Sequence, residues 1–341
     1  MRTPAAPAAT TGVWRGVVHD ALWAPSPHNT QPWQVRLVSG REAELWVPAD
    51  RLLPVEDPDG KFLTAGLGIF LEALDVAASA RGLALEFEYQ HPPLGVGAQR
   101  QALAARLELV EREGRPRFHV DLLSRRRTSR LPYDGRPASA AALRELAAIA
   151  ADAGHQACFS SERSLVDWVV ALNADTVFYD LDEEDRREEI GSWTRSSDAE
   201  AARRGDGFSP TCLGFHPRLV RLFFDRHGLF HNRAVRRVAR SLYLRSMRGT
   251  ATVGWIAGPW RTSEDWLEAG RMLMRFWLAL TAHGLYLQPF GSVITNPTSH
   301  ARLAEQLELH EGDREIWLLL RIGYGAEPPR SPRRPLAEVL G

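Results

Sequence analysis

Apolar positions along the chain follow two periods, and the switches between them predict the order of elements. Residues 66–81 repeat apolar side chains at helical spacing (Leu67, Phe70, Leu71, Leu74, Ala77, Ala78), and Gly82 ends the run. Residues 83–89 then alternate as a strand does, and residues 103–109 predict another. Upstream, residues 14–23 form a short helical pattern that stops at Ala24-Pro25, because proline and its predecessor resist the α conformation. Residues 33–38 and 44–47 read as strands on either side of a Ser39-Gly40 turn. A helix capped by Ser139 is expected over 139–151, followed by arginine-rich helical segments to about Arg248 and a strand over 250–257.

The pattern contains a repeat. Gly68 and Gly270, Gly82 and Gly284, and Leu83 and Leu285 are each 202 positions apart. Leu71, Ala80 and Leu85 match Leu273, Ala282 and Leu287 at the same shift. A duplicated helix-and-strand unit follows, and with it an α+β fold of two halves, each a mainly antiparallel sheet covered by helices. The expected division is a disordered tail over residues 1–12, a first half over 13–122 and a second half over 123–341.

Charge changes little in this picture. Lysine plus arginine equals aspartate plus glutamate at 42 each, so no overall field draws the protein to nucleic acid or an anionic membrane. Cys158 and Cys212 are the only cysteines, which excludes a cysteine zinc site or an iron–sulfur cluster and suits a reducing cytoplasm. No apolar run suggests a membrane span, and no motif suggests a bound metal, a P-loop or a dinucleotide-binding turn.

Two segments carry candidate chemistry. Arg125-Arg126-Arg127-Thr128-Ser129-Arg130 is dense enough to bind a phosphate through charge-assisted hydrogen bonds, although such a cluster alone is more often a solvated basic turn. Pro25-Ser26-Pro27-His28-Asn29-Thr30-Gln31-Pro32-Trp33 sets amides and hydroxyls between prolines, as a loop that reads a planar polar ligand or one that merely caps a strand. The two segments lie in different halves, and neither half has a counterpart of the other's.

The second segment is similar to the nitroreductase family's stretch with an asparagine shortly before Gln-Pro-Trp, and Arg126-Arg127-Thr128-Ser129-Arg130 resembles that family's arginine-rich opening. Gly284-Leu285 with Gln288-Pro289-Phe290-Gly291-Ser292 resembles its third signature, and Arg330-Ser331-Pro332-Arg333-Arg334-Pro335 its closing basic stretch. The match is with the Acg-like branch, in which one chain holds two nitroreductase-like halves and imitates the usual homodimer. The resemblance implies one FMN per chain at the junction. Arg126 and Thr128, with Arg330 or Arg333, would hold its phosphate, and Arg127 and Arg130 would lie along ribityl or ring oxygens. Pro25, Ser26, Pro27 and Asn29 would approach the ring from the first half. Pro289, Phe290, Gly291 and Ser292 would line its other side, with a backbone amide near Gly291 close to the flavin N5. Thr128 in place of a serine, Pro132 before Tyr133, and His28 before Asn29 depart from the family pattern.

The activity so implied is electron transfer from NADH or NADPH through FMN to a small organic acceptor of nitroaromatic or quinone type, with no obligatory catalytic side chain. A flavin-sequestering protein, or a specialised biosynthetic oxidase or dehydrogenase, are the alternatives. Residues 193–248 are expected to act as a lid, with the basic, apolar-faced stretch after Arg218 as a covering helix. His28 reads as a structural histidine, and Trp266 and Trp277 as core. A monomer with an internal pseudo-dimer is expected.

Overall fold

The computed structural model describes residues 11–98, 100–309 and 314–341. The first half runs α1 (Thr11–Ala21), β1 (Gln34–Leu37), β2 (Glu42–Pro48), α2 (Lys61–Ser79), β3 (Leu83–Tyr89) and β4 (Gln101–Glu111). After α3 (Asp121–Arg125), the second half runs α4 (Ala140–Asp152), β5 (Gln156–Ser160), an insertion, β6 (Thr252–Ala257), α11 (Ser263–Ala282), β7 (Tyr286–Pro289), α12 (Gly291–Thr295), α13 (Pro297–Gln306), β8 (Ile316–Gly323) and α14 (Leu336–Val339). The insertion holds α5 (Arg163–Asp180), α6 (Glu184–Ser192), α7 (Asp198–Arg204), α8 (Pro210–Leu213), α9 (Pro217–Asp225) and α10 (Arg233–Ser246).

Each half builds one antiparallel four-stranded sheet, ordered β1-β2-β4-β3 and β5-β6-β8-β7, so the two orders correspond strand for strand. In β2 the buried Ala43, Leu45 and Val47 alternate with more exposed neighbours, as a sheet covered on one face requires. Every residue of β8 is buried: Leu318, Leu320 and Ile322 join the main core, and Ile316 and Leu319 a second apolar cluster.

The repeat has a packing cause. A Cβ on Gly68 would come within 1.9 Å of the Leu267 carbonyl oxygen, and one on Gly270 within 1.9 Å of the Ala65 oxygen. Leu267 is the repeat equivalent of Ala65, so α2 and α11 cross at two glycines related by a pseudo-twofold axis. Only residues without a Cβ let the backbones approach this closely.

Two boundaries differ from the sequence expectation. Helix α1 already begins at Thr11, inside the expected tail, while residues 1–10 of that tail lie outside the described residues. Helix α2 begins five residues before the periodic run, since Asp57 accepts the amides of Phe62 (3.2 Å) and Leu63 (2.8 Å) beyond Gly60, whose φ is +73°. By length and hydropathy α2 also passes for a membrane span, but 89% of that window is buried inside the protein, where Phe70 stacks on Trp33 at 4.4 Å. It is the core helix of the junction. The C-terminus returns to the first sheet: Leu340 bridges Val35, and the Gly341 amide donates to the Val35 carbonyl at 2.9 Å.

Candidate active site

Between α1 and β1 the chain makes one 3-10 turn, Pro27–Asn29, and holds His28, Asn29 and Gln31 at φ of 48°, 56° and 49°. Asparagine and histidine tolerate this left-handed region, whereas glutamine seldom adopts it, and such backbone persists only where its surroundings hold it. Here they do. Ser26 Oγ accepts the Gln31 amide (2.8 Å), Gln31 Nε2 donates to the Gly205 carbonyl (2.8 Å), and Gln31 Oε1 accepts the Arg334 amide (3.0 Å). His28 Nε2 lies 2.5 Å from the Glu56 carboxylate. Burial would raise that carboxyl, but the charge and hydrogen bond of His28, with Arg186, hold it below its usual value.

The Asn29 carboxamide is spent on protein partners. Its Nδ2 donates to the carbonyls of Gly207 (3.1 Å) and Pro332 (3.0 Å), and its Oδ1 accepts from Arg333 Nη1 (2.9 Å). It therefore ties the first half to the insertion and to the C-terminal stretch, rather than projecting into open space.

The arginine segment leaves α3 and runs beside β7, where Thr128 bridges Leu287 and the Ser129 amide donates to the Leu287 carbonyl (3.0 Å). Arg126 is buried, donates Nη2 to the Trp23 carbonyl (3.1 Å), and lies 4.5 Å over the Trp277 ring, with Nε and Nη1 lacking partners among the described residues. Burial foremost, then the charges of Arg333 and Arg127, push its pKa well below that of a free guanidinium. Arg333 is likewise lowered, to about 10, by burial and by Arg127 against the influence of Cys212. Arg127 is lowered by burial and by Arg330, and its one carboxylate partner, Glu327 at 3.3 Å, is largely exposed. Arg330 and Arg333 stand over the Trp23 ring at 4.7 and 5.7 Å. Four guanidinium groups are thus drawn together, and Nε of Arg126, Arg127 and Arg333 is buried without a partner among the described residues. Donors so arranged suit a multiply charged anion with several oxygens.

Trp277 connects this cluster to a cavity of about 540 Å³. Pro25, Ser26, Pro27 and His28 line it from the first half, and Thr128, Arg130, Pro289, Gly291 and Ser292 from the second. The insertion closes it with Phe208, Phe215, Leu219, Phe223 and Phe230. Arg130 faces Phe208 at 5.0 Å, and burial lowers its pKa. Among the described residues the backbone amides of Gly291 and Ser292, at the start of α12, take no backbone acceptor.

Of the residues singled out in the sequence, Pro25, Ser26, Pro27, Thr128, Arg130, Pro289, Gly291 and Ser292 line the cavity, while Arg126, Arg127, Arg330 and Arg333 form the adjoining cationic cluster. Asn29 joins the halves behind them. The Phe290 side chain does not line the cavity: it is buried in the hydrophobic cluster of the second half, and its amide donates to the Leu319 carbonyl (2.8 Å). Sequence reasoning passed over Asp180, whose Oδ1 accepts from Asn296 (3.0 Å) while Oδ2 is buried without a partner among the described residues, and whose carboxyl burial pushes up. It also passed over Arg321, fully buried in β8, which donates to Gln288, Thr250 and the carbonyls of Ser246, Ser129 and Leu131, and so anchors the arginine segment. An arginine inside an otherwise apolar strand was the available signal. Trp277 is core, as read, but also forms the floor under Arg126.

Residues 123–324 match the nitroreductase family, and the chain belongs to that family. It is an oxidoreductase. A Mycobacterium tuberculosis H37Rv protein provisionally named NAD(P)H nitroreductase Rv3131 is 28% identical over 340 residues, which cover 96% of this chain and 90% of that protein. A second protein of the same strain, provisionally named NAD(P)H nitroreductase acg, is 33% identical over 127 residues, covering 36% of this chain and 37% of that one. Among solved structures, the NADPH complex of the FMN-dependent nitroreductase NfnB from Mycobacterium smegmatis is 16% identical with a TM-score of 0.41, covering 64% of this chain and 94% of that one.

Proposed function

We propose that this protein is an FMN-dependent oxidoreductase in which two fused halves complete a single flavin site, using reduced nicotinamide as donor and a small organic molecule as acceptor. The observation that carries the reading is the cluster of buried, incompletely partnered guanidinium groups beside a cavity lined by both halves. Arg126 and Arg333, with Arg127 and Arg330, would hold the phosphate; each orphaned N–H there gains an acceptor that the protein does not supply. The cavity's volume suits a flat cofactor with part of a second substrate. When bound, FMN supplies the capacity to accept and pass on two electrons. The residues orient and shield: Pro25 to Pro27 present a rigid wall from the first half, Thr128 and Arg130 offer donors from the second, and the free amides of Gly291 and Ser292 offer hydrogen bonds at the cavity edge. The aromatic side chains of the insertion keep water out.

The test is cofactor stoichiometry. Purified or reconstituted protein should hold one FMN per chain; a ratio near two, or no retention, overturns the single-site reading.

A second reading, flavin sequestration, draws on the apolar side chains that the insertion lays over the cavity. Anaerobic addition of NADPH or NADH separates the two, since a turnover enzyme loses its yellow colour and a sequestering protein keeps it.

A further inference from the structure

Beyond the flavin cavity, the inner edge of the insertion gathers three metal-binding side chains. His227 and His231 begin and end one 3-10 turn, His227–His231, and Asp182 follows α5. One ligand atom from each lies within 4.8 Å of the others. We propose that Asp182, His227 and His231 form a site for a divalent transition metal that cross-links the insertion internally, joining the segment after α5 to the turn before α10.

An independent observation at the same place points to a ligand. His227 is 8% exposed, and neither of its ring nitrogens has a hydrogen-bond partner among the described residues. Its Nε2 lies 3.4 Å from Asp182 Oδ1 without the alignment of a hydrogen bond. A buried imidazole left in this state loses its hydration with no return, and a metal bond would replace it.

The charges around the site oppose a cation but are largely committed. Arg236 pairs with Asp182 Oδ2, which leaves Oδ1 toward the histidines, and Arg187 Nη1 donates to the carbonyls of Leu181 and Asp182 at 3.2 Å each. Two imidazoles and one carboxylate favour Zn2+, Co2+ or Ni2+ over the oxygen-seeking Mg2+ and Ca2+. The consequence reaches the cavity. Phe223 and Phe230 pack on His227 at 5.1 and 6.2 Å and also line the cavity wall, so a metal here would hold that wall shut.

The experiment is equilibrium dialysis of the full-length chain, stripped with chelator, against Zn2+ alone, together with thermal melting. One Zn2+ per chain and a raised melting temperature are expected. His231 is exposed, so His231→Asn leaves the fold intact; it should weaken Zn2+ binding roughly tenfold or more, as losing even an outer-shell partner does, and Asp182→Asn should do the same. Failure of the parent protein to retain Zn2+, or binding unchanged in both variants, overturns the site.

Discussion

The two halves share a strand order and a central helix, yet their connections differ. Residues 38–41 link β1 to β2 as a tight turn in which Ser39 Oγ accepts the amides of Arg41 and Glu42. The equivalent link from β5 to β6 takes residues 161–251 and six helices. A second difference lies before the first strand. Residues 22–33 separate α1 from β1 and carry the strained Pro25–Gln31 loop, whereas residues 153–155 alone separate α4 from β5. The contrast shows which parts of a duplicated fold are free to diverge. Crossing helices are held by backbone contact and cannot change one at a time, while surface connections tolerate insertion at little entropic cost. On the function proposed above, two equivalent sites became one, with the phosphate-binding arginines kept by the second half and the loop facing the ring by the first.

The helix crossing gives the largest expected effect. Gly68→Ala and Gly270→Ala should each cost about 3 kcal/mol or more, because the added Cβ meets a backbone carbonyl at 1.9 Å and neither helix can yield alone. Alanine is otherwise the better helix former by about 1 kcal/mol, so a loss of this size isolates the packing clash. Urea denaturation of both variants measures the equivalence, and a cost at one glycine much smaller than at the other breaks the pseudo-twofold account.

A pH contrast between the halves comes next. In the first, burial foremost, against the amide bonds of Leu63 and Phe62, raises Asp57 from 3.8 to about 6. The folded state then binds the proton more readily than the unfolded chain, so this contribution is full below pH 3.8 and lost as pH rises through 6. In the second, burial and then Arg314 lower His155 from 6.5 to about 4, and Trp317 Nε1 donates to its Nδ1 at 3.2 Å. Its contribution is full above pH 6.5 and lost as pH falls through 4. Shifts of this size correspond to at most about 3 kcal/mol each. The stability of Asp57→Asn relative to the parent should therefore rise from pH 4 to pH 6, and that of His155→Gln should fall over the same range. Denaturation at four pH values checks the opposed slopes, and parallel slopes would remove the contrast.

Arg126→Ala sharpens the assignment of the phosphate cluster to the second half. Loss of a charge-assisted contact should cost about 1.5–3 kcal/mol of FMN affinity, more than tenfold. The same change removes a buried cation crowded by Arg333 and Arg127, so the flavin-free protein should melt no lower than the parent. Arg125 is exposed, and Arg125→Ala should alter neither quantity. Equal loss of affinity at both positions would reduce the cluster to diffuse charge.

Much of this was legible from spacing. The glycine pairs and their flanking leucines marked α2, α11 and the duplication, because a close crossing restricts residue type at fixed intervals. The loop and the arginine segment were legible through unusual local composition. The resemblance puts Phe290 beside the flavin with Pro289 and Gly291, but at the junction of β7 and α12 its side chain turns into the hydrophobic cluster of the second half. The expected lid over residues 193–248 spans α7 to α10, while the link between β5 and β6 also carries α5 and α6 ahead of it, an extent that only the pairing of β5 with β6 defines. Asp180, Arg321 and the His28–Glu56 contact join residues far apart in sequence, and no local pattern announces such partners.

The smallest effect falls on the residue that joins the two differing regions. Asn29→Ala removes bonds to the carbonyls of Gly207 and Pro332 and to Arg333, and places alanine at φ 56°, so flavin-free stability should drop by about 1–2 kcal/mol. FMN affinity should fall too, because Arg333 loses the oxygen that aims it. Asn29→Asp separates these roles. It keeps an oxygen for Arg333 and adds a negative charge beside Arg333, whose guanidinium in turn adjoins Arg126, so it should stabilise the flavin-free protein relative to Asn29→Ala. The same charge competes with a phosphate for those guanidinium groups, so FMN should bind more weakly to Asn29→Asp than to Asn29→Ala. Melting without flavin and FMN dissociation, measured on both variants, should rank them in opposite orders. Identical rankings would mean that Asn29 serves only the fold and that the first half contributes to the site through Pro25 to Pro27 alone.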